Sequence, residues 1–236
     1  MLWLQRNEVF FVKNSVELYE IRDTLLFEDL GDEDIKKVLK CLKAEEVRYA
    51  KDATVTLGRK KTPLVGIVLS GSIFTVCTDS DGNRSILDNA QKGEIFGFSL
   101  ILDDFGDNLC IVAAEDCRVL LIEANTILWG CSCFCDTHKQ LLYNLIRILS
   151  RSNMSLLRKF RHISQHTLRR KIVSFLNEQA DLQGTNEFTI PFNRQEMADY
   201  LGADRSALSA ELSRMKKEGL IDYQKNRFRL LKRVCA

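Results

Sequence analysis

Residues 194–215, RQEMADYLGADRSALSAELSRM, form the stretch of this sequence whose residue types and spacing say most about chemistry. Ala198 is small enough to let two helices cross closely. Gly202 stands four residues later, where a turn needs backbone freedom, and Leu208 follows six beyond that. Asp204 precedes the next helical run and can accept the amide hydrogens that a first helical turn leaves free. Leu208, Leu212 and Met215 recur at i, i+4 and i+7, which makes an apolar inner face. The opposite face carries Arg205, Ser206, Ser209, Ser213 and Lys216. Small hydroxyls and an arginine suit the major groove of DNA, because bulk would hold the helix out while a guanidinium spans O6 and N7 of guanine. An ordinary helical hairpin also satisfies Ala-x3-Gly-x5-Leu, so the flanking sequence has to decide.

Both flanks favour nucleic acid. Gly219–Tyr223 and Arg227–Leu230 alternate like strands about a Lys225-Asn226 turn, predicting a basic β-ribbon after the second helix. Phe188–Ile190, closed by Pro191 and Phe192, predicts a short strand able to pair with that ribbon. Charge divides the same way. From Thr137 onward there are 19 Lys and Arg against 9 Asp and Glu, whereas the first 136 residues hold 15 against 23. An acidic part joined to a basic part is expected where only one end meets a polyanion.

A second group of reactive residues lies mid-chain. Cys131, Cys133 and Cys135, with His138 three residues on, could hold a metal ion or an iron–sulfur cluster, although the usual C-x2-C spacing is absent. Small buried thiols are the simpler expectation. His138, His162 and His166 sit in polar helical text and are expected to be solvated, with haem ligation as the other use. The eight cysteines show no disulfide-scaffold spacing and read as reduced thiols of a cytoplasmic protein. No signal peptide is expected, and no apolar run approaches the ~20 residues needed to cross a bilayer. There is no G-x-S-x-G, H-E-x-x-H or phosphate loop, so an enzyme is not expected, and Asp103 and Asp104 read as turn residues.

The elements that position these residues follow from periodicity. A helix is predicted over 32–43, with Asp32, Glu33 and Asp34 in the first turn where they complement the helix dipole. From about Val47 to Glu123, short β-branched runs (Ala53–Leu57, Leu64–Leu69, Ser72–Cys77, Arg118–Ile122) alternate with turns such as Asp81-Gly82-Asn83. That pattern predicts an antiparallel barrel or jelly roll. A helix without Gly or Pro is predicted from about Asp136 to Ser164. Within it Leu142, Leu149, Leu156 and Ile163 recur every seven residues beside Ile146, Asn153 and Phe160. This is a heptad seam with one polar a position, the pattern of a two-chain coiled coil. A second stripe, Leu141, Leu145, Ile148 and Leu157, is expected to pack on the barrel. Another helix is predicted over Thr167–Gln179. The fold class is therefore α+β, divided into 1–135, a helix over 136–165, and 166–236.

The order of these parts resembles the family of the cyclic-AMP receptor protein and the fumarate and nitrate reduction regulator (Crp/Fnr), over nearly the full chain from about Leu25. Its marks are LFEDL at 26–30, SGSI at Ser70–Ile73, GEIFG at Gly93–Gly97, the long helix and RQEMADYLG…DRSALS. The resemblance implies an N-terminal β-roll sensor domain of the cyclic-nucleotide-binding type, a dimerisation helix and a C-terminal winged helix-turn-helix. It also implies a homodimer on double-stranded promoter DNA, with contacts to RNA polymerase. By that resemblance Arg205 reads a guanine beside Ser206 and Ser209. Arg194 and Gln195 touch phosphates, and the wing adds Lys225 and Arg227. The effector pocket falls on Gly93, Glu94, Phe96, Gly97, Phe98, Asn108, Leu109 and Cys110.

Two departures bear on that expectation. Ala210 stands where the cyclic-AMP receptor protein has a second base-contacting arginine. Phe98 and Asn108 stand where a cyclic-nucleotide pocket needs a carboxylate for the ribose and an arginine for the phosphate. An effector other than cyclic AMP, or none, is therefore expected, while a metal, iron–sulfur or haem cofactor stays open. The reading from another class is a ligand-binding or redox-sensing β-roll that binds no specific DNA.

Overall fold

The computed structural model describes residues 9–12, 18–42, 44–55, 63–98, 108–129 and 135–232. The chain divides into two compact units, and the main division falls within one long helix, between Ser152 and Asn153; Arg84–Ile86, the start of an otherwise first-unit strand, groups with the second unit. The expected boundary at 135/136 marks where that helix starts rather than where the packing changes.

In the first unit, strand β1 (Val9–Val12) is followed by helix α1 (Leu18–Ile21), a 3₁₀ turn (Leu25–Phe27) and helix α2 (Asp32–Cys41). Strands β2 (Glu45–Tyr49), β3 (Leu64–Ser70), β4 (Ile73–Thr78), β5 (Arg84–Ala90), β6 (Ile95–Phe96), β7 (Leu109–Ala113) and β8 (Cys117–Glu123) follow, then helix α3 (Ala124–Trp129) and helix α4 (Asp136–Ile163). The strands form two sheets, ordered β1-β2-β8-β3-β6 and β5-β4-β7, with antiparallel ladders, as the alternating runs predict. Asp79 closes the β4–β5 hairpin by accepting from the side-chain amide of Asn83 (2.9 Å) and from the backbone amides of Asn83 (2.8 Å) and Asp81 (2.9 Å); these bonds, the Asn83 side chain first, hold its carboxyl below the usual range. The run Ala53–Leu57 is a correction. Only Thr54 bridges to Val112, so a single isolated bridge replaces the expected strand, and Thr56 and Leu57 lie outside the described residues. The Asp103-Asp104 turn lies outside them too.

One core cluster gathers Leu26, Phe27, Ile35, Val65, Ile67, Leu120 and Ile122 with Leu141, Leu145 and Ile148 of α4. The start of α4 thus packs against the roll, as the second apolar stripe predicts. Leu157 does not join it: nine residues beyond Ile148 it lies about half a turn around the helix and is exposed. Asn144 is fully buried, and its amide donates to the carbonyls of Leu26 (3.0 Å) and Glu28 (2.8 Å). Arg147 adds an ion pair to Glu28 at 2.6 Å. Arg118 joins Glu46 (2.8 Å) and Glu20 (2.7 Å), tying α1 to β2 and β8.

The second unit comprises the end of α4, helix α5 (Leu168–Gln183), strand β9 (Glu187–Thr189), helices α6 (Arg194–Leu201) and α7 (Arg205–Lys217), and strands β10 (Ile221–Gln224) and β11 (Arg227–Leu230). Thr167 caps α5, accepting from the Arg170 amide. The ribbon pairs antiparallel, with Ile221 opposite Leu230, and β9 joins its outer edge in the order β10-β11-β9.

The seven-residue seam of α4 lies open along this single chain. Ile146 and Phe160 are 63% and 64% exposed, Leu149, Leu156, Ile163 and Asn153 are exposed, and Leu142 is half-buried. Exposed apolar side chains in such a row cost free energy unless a partner covers them. A lone Asn at an a position favours two chains in register, at some cost in stability. Leu149→Ala should weaken self-association, and Asn153→Leu should tighten it or mix its order. Sedimentation of the three proteins at micromolar concentration checks this; three monomers would remove the seam as an interface.

Candidate nucleic-acid interface

The interface is built on two capped helices. Asn193 accepts from the amides of Gln195 (2.9 Å) and Glu196 (3.0 Å), while Glu196 accepts from the Asn193 amide at 2.7 Å. This reciprocal capping box starts α6. Asn-x-x-Glu before an apolar-periodic run is the signal that marks it in the sequence. Gly202 ends α6 in the left-handed region, with φ of 59°. Asp204 then caps α7 by accepting from the Ala207 amide at 2.8 Å. Ala198 is fully buried at the helix crossing, and Leu208, Leu212 and Met215 are fully buried on the inner face of α7.

The outward face of α7 presents Arg205 and Ser206 to solvent, with Ser209 half-buried and Ser213 and Lys216 exposed. Arg169 on α5 fastens α7 from behind. It pairs with Glu211 at 2.6 Å and with Glu218 at 2.7 Å. Lys171 donates to the carbonyls of Leu201 (3.3 Å) and Gly202 (3.4 Å), where a cation suits the C-terminal end of α6. Nothing in the helix-turn-helix pattern marks these α5 residues.

The ribbon turns at Lys225, whose φ of 54° is unusual for a residue with a side chain. Asn226 secures the turn by donating to the Ile190 carbonyl at 3.3 Å. Lys225 and Arg227 are exposed, and Arg227 pairs with Glu187 at 2.6 Å. Arg194, Gln195, Arg205 and Lys225, all expected on DNA, line one hollow together with Asn193 and Asn226. Gln195 also donates to Asp199 at 2.7 Å. Arg194 differs from the rest: it is half-buried against the ribbon.

The expected effector residues fall at two places in the roll. Gly93 adopts φ of 84° in the turn before β6, and its amide donates to the Val68 carbonyl. Glu94 is exposed, accepting from the Gln91 amide at 2.8 Å. Phe96 is 3% exposed and belongs to the core: its ring lies over Gly66, where a Cβ would come within 2.1 Å of it. Gly97 has φ of 94°, and Phe98 packs against the core cluster of α4. Asn108 is exposed, and Leu109 and Cys110 are half-buried at the start of β7. Residues 99–107, between these two sets, lie outside the described residues.

Cys131 and Cys133 also lie outside the described residues. Among the described residues, no three His, Cys, Asp or Glu side chains are placed to hold a metal ion. Cys135 and His138 border an apolar cavity of about 220 Å³ with Cys41, Val38, Leu42 and Leu141. Cys117 is a core thiol, and burial pushes it up to about 11, away from the thiolate form. Two histidines require correction. His138 is 5% exposed and His162 is fully buried, so neither is solvated, whereas His166 is exposed as expected. Their polar helical neighbours conceal which side of α4 they occupy.

His162 stands where α4 meets α5. Its Nδ1 lies 2.8 Å from Ser174 Oγ, its Nε2 lies 3.0 Å from Glu178 Oε2, and its ring meets Phe175 edge-on. Burial lowers its basicity; Glu178 acts in the opposite direction, and Arg161 adds to the lowering.

Two capped helices, an exposed Arg–Ser face and a basic ribbon are the parts of a winged helix-turn-helix DNA-binding protein. The family models agree. The Crp-like helix-turn-helix domain matches residues 170–234, and the cyclic nucleotide-binding domain matches residues 46–131. Together the two matches give the chain the domain pair of Crp/Fnr-type transcription regulators. It is 26% identical over 155 residues to the nitrogen fixation regulation protein FixK of Rhizobium meliloti, covering 65% of this chain and 67% of that protein. Its fold matches FixK2 from Bradyrhizobium japonicum with a TM-score of 0.63 at 21% identity, over 80% of this chain and 93% of that one. It also matches the c-di-GMP responsive global regulator CLP of Xanthomonas campestris with a TM-score of 0.68 at 18% identity, over 86% of this chain and all of that one. No described helix is long and apolar enough to cross a membrane.

The His162 environment carries a pH dependence with a definite sign. A buried imidazole with lowered basicity stays neutral in the folded chain but takes up a proton when unfolded, so unfolding binds protons and acid favours it. Stability of the second unit should be complete above the ordinary histidine range, about 6.5, and fall as pH drops below it. Urea melts at pH 7.5 and 5.5 check this. His162→Gln should flatten the difference, and equal pH dependence in the two proteins would exclude His162 as its source.

Proposed function

We propose that this chain acts as a homodimer on promoter DNA, with Arg205 as its principal base-reading side chain and an effector other than cyclic AMP or cyclic GMP. The observation that carries the reading is the outward face of Arg205 and Ser206, both exposed, with half-buried Ser209, on a helix whose opposite side is buried and braced. Ser206 and Ser209 leave room for close approach to the groove, and Lys225 and Arg227 on the wing supply sequence-independent affinity through phosphates. Ala210 cannot hydrogen-bond a base edge, so the half-site differs from one read by two arginines. Contacts with RNA polymerase follow from the family alone.

The effector part rests on residue chemistry. A cyclic phosphate carries a full charge out of water, which is costly unless a cation or several donors replace its hydration. Asn108 carries no charge, and Phe98, packed on the core, cannot accept a hydrogen bond from ribose. An effector recognised by other groups, or none, is what this residue chemistry favours.

Arg205→Ala should lower affinity for duplexes selected by the protein from a random pool by about 1–3 kcal/mol, with little change on scrambled duplexes. Anisotropy titrations on both check it, and equal losses would remove Arg205 from base readout. Calorimetric titration with cyclic AMP and cyclic GMP should show no binding in the micromolar range, because each missing charge-assisted contact costs about 1.5–3 kcal/mol. Micromolar binding that tightens DNA association would overturn the effector assignment.

A further inference from the structure

Arg194 opens α6, where the helix dipole disfavours a cation. Its guanidinium is turned away from solvent and toward the wing. The guanidinium carbon lies 4.9 Å from the Tyr223 ring centroid and 5.6 Å from that of Phe228, both within cation–π range. Nη2 donates to the Lys225 carbonyl at 3.2 Å, on the residue that makes the ribbon's left-handed turn. Nη1 lies 3.8 Å from Met197 Sδ. Lys216 of α7 approaches the same Tyr223 ring at 5.2 Å and pairs with Asp222 at 2.6 Å. Tyr223 and Phe228 face one another across the ribbon. The two helices therefore hold the wing through one aromatic platform. Burial lowers the basicity of Arg194, in keeping with a group committed to protein contacts.

We propose that Arg194 is the positioning residue of the wing: its guanidinium latches the β10–β11 ribbon to α6 and so sets where Lys225 meets DNA, in place of a phosphate contact of its own. A planar fork stacks on the rings and donates to the Lys225 carbonyl at once. A lysine ammonium keeps the charge but has no plane to stack and no fork to place. The latch rests on the wing being a DNA contact, so the test reads it first without DNA.

Hydrogen exchange of the full chain should show residues 221–230 exchanging about 10-fold faster in Arg194→Ala, and Arg194→Lys should not restore protection. Tyr223→Leu removes the platform while keeping every charge. It should produce the same loosening, and the double variant should add little to either single one. On a random-sequence 30-base-pair duplex across a KCl series, Lys225→Ala should lower the salt slope by about 0.9 for each phosphate that Lys225 neutralises. Arg194→Ala should leave that slope unchanged while weakening affinity about 3- to 10-fold. Unchanged wing exchange in Arg194→Ala or Tyr223→Leu overturns the latch. So does a slope reduced by about 0.9 in Arg194→Ala with recovery in Arg194→Lys, because that is how a direct phosphate partner behaves. An unchanged slope in Lys225→Ala overturns the wing's role on DNA, whatever the exchange shows.

Discussion

Helix α4 has to satisfy two apolar stripes with one helical period, and the rest of the architecture depends on how it does so. Over its first turns Leu141, Leu145 and Ile148 face inward and complete the core of the roll. Ile146, Leu149, Leu156 and Phe160 are left on the outside. At 3.6 residues per turn, a strict seven-residue repeat drifts around a straight helix, so a seam that stays in register does so by supercoiling with a partner. The inner stripe ends at Ile148; Leu157, nine residues on, falls about half a turn around the helix from it, which is why it is exposed.

The helix-turn-helix depends on a different kind of contact. Met197, Leu208, Leu212 and Met215 are buried, as are Ile172, Phe175, Leu176 and Phe228, and such apolar packing resists separation of the helices more than rotation of α7 about its axis. Directional contacts supply that resistance. Arg169 reaches two glutamates seven residues apart on one side of α7, and Lys171 holds the end of α6. Arg169 is only partly buried, so each pair alone is worth little. Shared on one guanidinium they constrain the helix about its own axis, which apolar packing does poorly. An angular error at α7 is transmitted directly to Arg205 at its tip, so this constraint bears on specificity more than on stability.

Much of this was legible in the residues. The helix-turn-helix, its ribbon, the β9 pairing and the seam all follow from period, caps and turn chemistry, because these are local signals read within a few residues. What escaped was long-range. Asn144 reads as one more polar residue on a helix, and only the fold brings the carbonyls of Leu26 and Glu28 to it, across more than a hundred residues. His162 likewise reads as solvated beside Arg161, until α5 folds back with Ser174 and Glu178. The Ala53–Leu57 run has strand composition, but β-propensity records fit to a half-buried pleat, and that fit depends on neighbours the run does not name. Phe96 was placed in the pocket by its motif, whereas the absence of a side chain at Gly66 draws its ring into the core.

Two of the buried polar side chains of α4, Asn144 and His162, also explain a property that its apolar stripe cannot. Apolar contacts tolerate small slides along a helix, since one methyl group replaces another at little cost. Asn144 and His162 do not. A shift of either by a fraction of a turn would strand the Asn144 amide without its two carbonyl acceptors or part His162 Nδ1 from Ser174, a loss of about 1–3 kcal/mol each. Asn144 thus sets the register of α4 against the Leu26–Glu28 turn in the first unit, and His162 sets it against α5 in the second. The seam lies on the outer side of the same helix, with Asn153 near its centre, and its spacing is set independently of either contact. A helix made only of leucines would have neither contact to fix it.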